Sequence, residues 1–481
     1  MGLIVDLFAG GGGASTGIDA ALGRPVDIAI NHDPVALAVH KSNHPWTRHL
    51  EADIWEVRPL DATRGEPVDL LWASPDCTHF SVAKGDVPRS HNIRSLAWVV
   101  IRWAKAVSPA VIALENVQEF RGWGPLGKDG RPDKSRLGQT FKTWRTKLER
   151  LGYVVDSRVL DASLYGAPTR RRRLFMVARC DGQPIRWPEP THGTGRLPVH
   201  SAAECIDWSL PCPSIFERKR PLAEKTLWRV AQGIRRFIME TPEPFIVKVN
   251  HGKREPRAEQ IGLPLSTVTA TQLGHALVSP TLIQTGYGER TGQRPRVPGL
   301  QKPLGTCVDG QKHALVAAFI SKHFGDPNRA DGGGGTVIGD DLVHPMGTVT
   351  ARDHHSLAAV HLACHGGAHV ADVRAFLTAY YGEDGTSGQR MLEPMQTLTS
   401  RHRLGLVTVA SVDYQIVDIG LRMLEPHELL RAQFGRFAGA YDLGAARTKA
   451  AKVRLIGNSV CPEVAEAVVS ANAPRTNWSA T

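Results

Sequence analysis

Three kinds of side chain stand where they could act together. Pro75-Asp76-Cys77 presents a thiol, Glu115-Asn116-Val117 a carboxyl, and Arg170-Arg171-Arg172-Arg173 a run of guanidinium groups. A thiolate is the soft nucleophile that chemistry on an electron-poor ring requires. Asp76 beside Cys77 disfavours the thiolate, so a cation must compensate, and the arginine run can supply it. That run leads into the apolar segment Leu174–Ala178, and alternate side chains of a strand share a face. Arg171 and Arg173 should therefore point one way, towards an anionic or carbonyl-bearing substrate, and Arg170 and Arg172 the other. Glu115 closes an apolar run, where a partly buried carboxyl can donate a proton near neutral pH. Each group has a plainer explanation: a buried small hydrophobe for the cysteine, a solvated face for the arginines, a helix cap or an ion pair for the glutamate. Their common location outweighs those explanations.

That location follows from the elements around them. Apolar runs suited to strands span Leu3–Phe8, Val26–Ile30, Val68–Ala73, Ala110–Leu114, Tyr153–Leu160 and Leu174–Ala178. Ile93, Leu96, Ala97, Val100, Ile101, Ala104 and Val107 form a helical stripe among them. Strands alternating with helices predict an α/β fold with a doubly wound, mostly parallel sheet, whose ligands sit at the carboxyl ends of the strands. The glycine turn Gly10-Gly11-Gly12-Gly13 follows the first strand, Asn31 the second, Pro75-Asp76-Cys77 the third and Glu115 the fourth. Glycines let the backbone bend sharply and approach a nucleotide-like cofactor, with a helix N-terminus behind them. A nicotinamide site fits poorly, because the G-x-G-x-x-G spacing is missing and Asn31 stands where an acid would hold the ribose.

A chain of 481 residues exceeds one ordinary core, so two units are expected. Lys+Arg 58 against Asp+Glu 47 leaves +11, which favours a polyanionic partner. Seven irregularly spaced cysteines argue against a disulfide framework and for a reducing compartment, and without a C-x2-C pair no zinc or other metal is expected. With no apolar run of 18 residues and no charged leader, neither a membrane span nor a signal peptide is expected, and the location is read as cytoplasmic.

Residues 1–185 carry the α/β pattern, 186–416 are rich in Gly, Pro, His and Thr, and helical character returns over 417–481, which should pack back on the first part. The middle section repeats itself. Pro264-Leu265-Ser266-Thr267 recurs at Pro303, Pro345 and Pro394 as Pro-x-x-Thr, with spacings of 39, 42 and 49 residues. A histidine follows each copy (His275, His313, His354 or His355, His402) and then an apolar run, a pattern that reads as stacked β units. The basic stretch Arg218–Phe237 reads as an isolated helix, and Asn458 or Ser459 as the cap of a last helix holding Pro462, Val464, Ala467 and Val468.

The segments DLFAGGGG at 6–13, SPDCTHFS at 74–81, ENV at 115–117, YGAPTRRRR at 165–173, RMLEPHELLRAQFG at 422–435 and GNSVCP at 457–462, in that order, resemble the DNA (cytosine-5)-methyltransferase family of bacteria and phages. The resemblance covers about 1–180 and 417–481. It implies the S-adenosylmethionine-dependent methyltransferase fold and, between those parts, a mainly β target-recognition domain. It implies S-adenosylmethionine as cofactor, lined by Phe8, Gly10, Gly11 and Gly13, with Asn31 and His32 at the ribose, Asp53 and Ile54 at the adenine, Pro75 on the methionine side, and Asn458 and Val460 closing the site. It further implies that Cys77 adds to C6 of a flipped cytosine, that Glu115 holds N3 and the exocyclic amine, and that Arg171 and Arg173 position the base. Double-stranded DNA is the implied partner, and a monomer is expected. Three positions differ from the family pattern: Asp76-Cys77-Thr78 replaces a Cys-Gln pair directly after proline, Asn31 a glutamate and Thr169 a glutamine. Competing possibilities are an inactive DNA-binding homologue and a methyltransferase acting on tRNA. Retention of both Cys77 and Glu115 weighs against the first, and the long repeat-bearing section against the second.

Overall fold

The structure is a computed structural model. It describes residues 1–75, 96–127, 133–205, 207, 209–211, 213–221 and 412–473, together with the backbones of seven strands between 245 and 409. The first sheet has seven strands: β1 (Leu3–Leu7), β2 (Ile28–Asn31), β3 (Arg48–Glu51), β4 (Val68–Ala73), β5 (Val111–Asn116), β6 (Val154–Asp161) and β7 (Arg172–Arg179). Their order is β3-β2-β1-β4-β5-β7-β6, and only β7 runs antiparallel to its neighbours. The mostly parallel sheet expected from the alternating pattern is therefore present.

Alternation along the strands divides the core into two layers. Val5, Leu7, Leu71 and Ala73 face one layer, shared with α4 (Trp98–Val107) and α5 (Gln139–Arg150) through Val100, Trp103, Trp144 and Leu148. Ile4, Leu70 and Trp72 face the other, shared with α1 (Gly13–Leu22) and α8 (Pro462–Asn472) through Ile18, Val464 and Val468. Trp144 is fully buried and donates its indole N–H to Ala97 O (2.8 Å), so its one polar atom is satisfied in the core.

The remaining helices are α2 (Pro34–Asn43), the short α3 (Pro59–Thr63), α6 (Pro426–Phe434) and α7 (Lys449–Asn458). The last helix corrects one expectation: α8 is capped by Cys461, with no side-chain hydrogen bond, while Asn458 ends α7. A proline at its first position fixes the helical φ without losing a needed N–H, so the start shifts to Pro462. Strand β3 also went unread in the sequence. It is short and polar, and its backbone pairs with β2 from Arg48 to Glu51.

A second sheet of eight strands is antiparallel throughout. It comprises β8 (Phe245–Lys248), β9 (Ala258–Glu259), β10 (His275–Val278), β11 (Pro280–Gln284), β12 (His313–Lys322), β13 (His355–Ala363), β14 (Leu406–Val409) and β15 (Val412–Met423). Three of the repeated histidines, His275, His313 and His355, each open a strand, and those strands are neighbours in the order β13-β12-β10. His402 and the Arg218–Phe237 stretch beyond residue 221 lie outside the described residues. At the root of this sheet Ile215 N donates to Ile419 O (2.8 Å) and Arg422 forks onto Glu428 (2.8 and 2.9 Å), joining it to α6. No helix among the described residues is long and apolar enough to cross a membrane.

Candidate active site

Strand order reverses between β1 and β4, which run side by side and lead to opposite halves of the sheet. A crevice at such a switch point is where α/β sheets hold ligands. The glycine turn leaves β1 there, and Ser74-Pro75 leaves β4, with Ser74 N donating to Leu7 O (3.3 Å).

On the β4–β5–β7 side the site is built of charged side chains. Glu115 lies within β5, which runs two residues further than its apolar segment, and is 7% exposed. Arg173 Nε lies 3.3 Å from Glu115 Oε1 and Arg171 Nη2 lies 4.0 Å from it. These are ion-pair distances without hydrogen-bond alignment, and Glu115 Oε1 accepts no hydrogen bond among the described residues. Arg171 and Arg173 are both buried while Arg172 between them is exposed, as strand alternation demands. Arg171 Nη1 also donates to Gly457 O (3.0 Å) near the carboxyl end of α7, where a cation meets the negative end of the helix dipole. Asn116 Nδ2 donates to Pro75 O (2.9 Å) and fixes the chain just before Cys77, which itself lies outside the described residues.

On the β1–β2–β3 side the site is mostly backbone. Phe8 and Gly10 are half-buried and carry positive φ (62° and 54°), and a Cβ added at Gly10 would meet nothing nearer than Phe8 O at 3.9 Å. Half-buried Asn31 ends the neighbouring strand β2, exposed His32 follows it, and exposed Asp53 follows β3. An open backbone cradle and polar side chains thus stand at adjacent strand ends, an arrangement that fits a nucleoside-bearing ligand. Asn31 Oδ1 already accepts from Asp33 N (2.9 Å), and Asp53 Oδ1 from Trp55 N (2.9 Å), so both side chains are oriented by the backbone. Ile54 is buried beneath them. Gly11 and Gly13 are buried and face the C-terminal segment. A Cβ at Gly13 would lie 2.0 Å from Ser459 Oγ and 2.5 Å from Val460 O, so only glycine admits that contact. Asn458 is exposed and Val460 buried beside the turn.

Several supporting residues gave no signal by themselves. The Tyr441 hydroxyl donates to Gly11 O, and burial pushes its own ionisation upward. Gln433 Nε2 donates to Ser459 O (2.7 Å). Asp33 caps α2 through Val35 N and Ala36 N and pairs with Arg454 at 2.5 Å. Burial alone would raise the Asp33 carboxyl, but the Arg454 hydrogen bond and the capped amides bring it below the ordinary value. Only Asn116, inside the Glu-Asn-Val tripeptide, and Gln433, inside the 422–435 segment, could have been singled out from the sequence.

Residues 3–207 match the model of C-5 cytosine-specific DNA methylases. The chain is 28% identical over 195 residues to Type II methyltransferase M.AquIA of Picosynechococcus sp., covering 40% of this chain and 77% of that protein. It is 30% identical over 197 residues to Type II methyltransferase M1.HphI of Haemophilus parahaemolyticus, covering 39% of this chain and 48% of the relative. It is 32% identical over 199 residues to Type II methyltransferase M.AgeI of Thalassovita gelatinovora, covering 40% and 43%. The chain thus spans about half the length of two of these three relatives.

Proposed function

We propose that this chain is a DNA (cytosine-5)-methyltransferase that acts on a cytosine flipped out of duplex DNA. The observation that carries this reading is the buried Glu115–Arg173–Arg171 cluster, set beside a glycine cradle at the switch point of a methylase-family sheet. Cytosine C5 is a weak nucleophile until attack at C6 turns the ring into an enamine. Cys77 forms the bond to C6. Glu115 holds a proton at N3 and accepts from the exocyclic amine, using the oxygen that lacks a hydrogen bond in the free site. Arg171 and Arg173 hold Glu115 and offset charge that develops on the ring. The cofactor S-adenosylmethionine, when bound by Phe8, Gly10, Asn31, His32, Asp53 and Ile54, supplies an electrophilic methyl group. Once C5 has lost its proton, the Cys77–C6 bond breaks and the thiolate is restored. A base stacked in a duplex cannot present its ring to a carboxyl as buried as Glu115, so flipping is required.

In this reading 1–185 and 417–481 form one catalytic unit of the methyltransferase fold, and 186–416 form the target-recognition unit. The antiparallel sheet between β8 and β15 supports that division by offering an extended surface to a DNA groove. Bisulfite sequencing of DNA from cells expressing the chain tests the reaction and its sequence context together. A duplex containing 5-fluorocytosine, with methyl donor present, should trap an adduct at Cys77. Unmodified DNA together with no adduct would overturn the proposal.

A further inference from the structure

Behind the glycine turn lies a buried chain of polar groups that the proposed chemistry does not use. Asp6 on β1 is fully buried, and Ser15 lies in the first turn of α1. The hydrogen bond from Ser15 Oγ to Asp6 Oδ2 (2.7 Å) therefore spans the turn and ties its two ends together. Ser15 Oγ is also 3.0 Å from Nε2 of His40, itself fully buried. His40 Nδ1 is 2.8 Å from Nε2 of His49, a half-buried residue on β3. A further imidazole lies under the turn: His44 Nε2 is 3.3 Å from Gly12 O and 3.2 Å from Thr16 Oγ1, and its Nδ1 is 2.8 Å from Asp19 Oδ2. Gly12 has φ 105°, and a Cβ there would lie 2.8 Å from His44 Cδ2 and 3.2 Å from His40 Cδ2. Turn and imidazoles are fitted to one another.

The directions of these hydrogen bonds are coupled. Ser15 has one hydroxyl proton: while Asp6 is ionised, Ser15 donates to it and accepts from His40 Nε2–H, and while Asp6 is protonated, Ser15 accepts from Asp6 Oδ2–H and donates to His40 Nε2. Burial, aided by His44 and His49, holds His40 well below the ordinary imidazole value, so it stays neutral; its Nδ1 accepts from His49 Nε2–H in the first arrangement and donates to His49 Nε2 in the second. Asp6 has no salt bridge among the described residues, and its Oδ1 accepts no hydrogen bond among them. Burial pushes its carboxyl up to about 7, with the Ser15 bond opposing and Asp19 adding to the rise. The charged or titratable groups set against Asp6, His40 and His49 are Asp19 from α1, Lys41 and His44 from α2, and the histidines themselves.

We propose that Ser15 and His40 are positioning residues for the methyl-donor pocket, and that Asp6 releases a proton through them to His49 when a cationic methyl donor binds. The inference rests on the cofactor assignment above. Asp6 Oδ2–H passes to Ser15 Oγ, the Ser15 proton to His40 Nε2, the His40 Nδ1 proton to His49 Nε2, and His49 returns its Nδ1 proton to solvent. No histidine is left charged. The ionised Asp6 then makes a charge-assisted brace across the turn, and its negative charge offsets the positive donor.

Calorimetric titration of the full chain with S-adenosylmethionine, in buffers of different ionisation heat, counts the protons released. Near pH 7 the wild type should release roughly half a proton, and it should bind about tenfold more tightly at pH 8 than at pH 6. S-adenosylhomocysteine, which lacks the sulfonium charge, should release fewer protons. Asp6→Asn should abolish the release and flatten the pH dependence. His40→Leu should weaken binding about tenfold, and His40→Gln, which keeps a donor facing Ser15, should restore most of it. Donor binding by the wild type without proton release, or with the same release in Asp6→Asn, would overturn the relay and leave the cofactor assignment standing. Absence of donor binding by the wild type would remove that assignment, and the relay with it.

Discussion

The two halves of the crevice bury a carboxylic acid in opposite ways. On the β4–β5–β7 side Glu115 sits between two buried guanidinium groups, at 3.3 and 4.0 Å. On the β1–β2–β3 side Asp6 is fully buried but is met by a serine hydroxyl, with the neutral His40 imidazole behind that serine. A buried charge must be matched by an opposite charge or else gives up its ionisation. The first half therefore matches its carboxyl with buried cations, while the second keeps a carboxyl whose charge can follow what binds.

The largest predicted effect lies in the first half. Cys77→Ser should bring methyl transfer to background in a radiolabel assay while DNA binding, followed by mobility shift, persists; near-normal turnover would remove the proposed mechanism. Glu115→Gln should cost about 100- to 10,000-fold in turnover. It should also destabilise the fold by about 3 kcal/mol in urea, because two buried arginines lose their counter-charge. A stable but inactive variant would mean that the arginines find other partners.

Asp6→Asn should move stability the other way. The Asp6 carboxyl rises from an ordinary 3.8 to about 7 on burial, so the folded state holds a proton that the unfolded state has lost. Stability from this group is full below about pH 4 and is lost as pH rises to 7. Asp6→Asn should therefore melt higher than wild type at pH 8, by up to about 3 kcal/mol, with the gap closing near pH 4. An equal gap at both pH values would show that Asp6 does not titrate. Gly13→Ala has the smallest effect: about 1–3 kcal/mol of stability, from the clash with Ser459 and Val460, together with weaker donor binding. If it were neutral, the turn would be looser than its packing implies.

The first half was the more legible in the sequence. Arg171 and Arg173 share a face because strand geometry is local, and Glu115 follows an apolar run that any reader can see. The second half was less so. β3, with Arg48, His49 and Glu51 among its four residues, has no apolar run, and its strand character comes from pairing with β2. His40 and His44 look like surface residues of a short helix until the fold lays that helix behind Gly12. The cap of the last helix was misplaced because Asn458 and Ser459 are good capping types, while the chain instead spends them on the end of α7 and the contact with Gly13. Tyr441 and Gly11 are 430 residues apart, a separation that no local pattern spans.

That separation bears on how the molecule matures. Gly11 receives Tyr441, Gly13 is pressed by Ser459 and Val460, Asn43 bonds both backbone polar groups of Asp442, and Arg171 rests on Gly457. During synthesis the early strands leave the ribosome long before those partners exist. The crevice can close only when residues 441–460 arrive, so a half-made chain has no finished crevice.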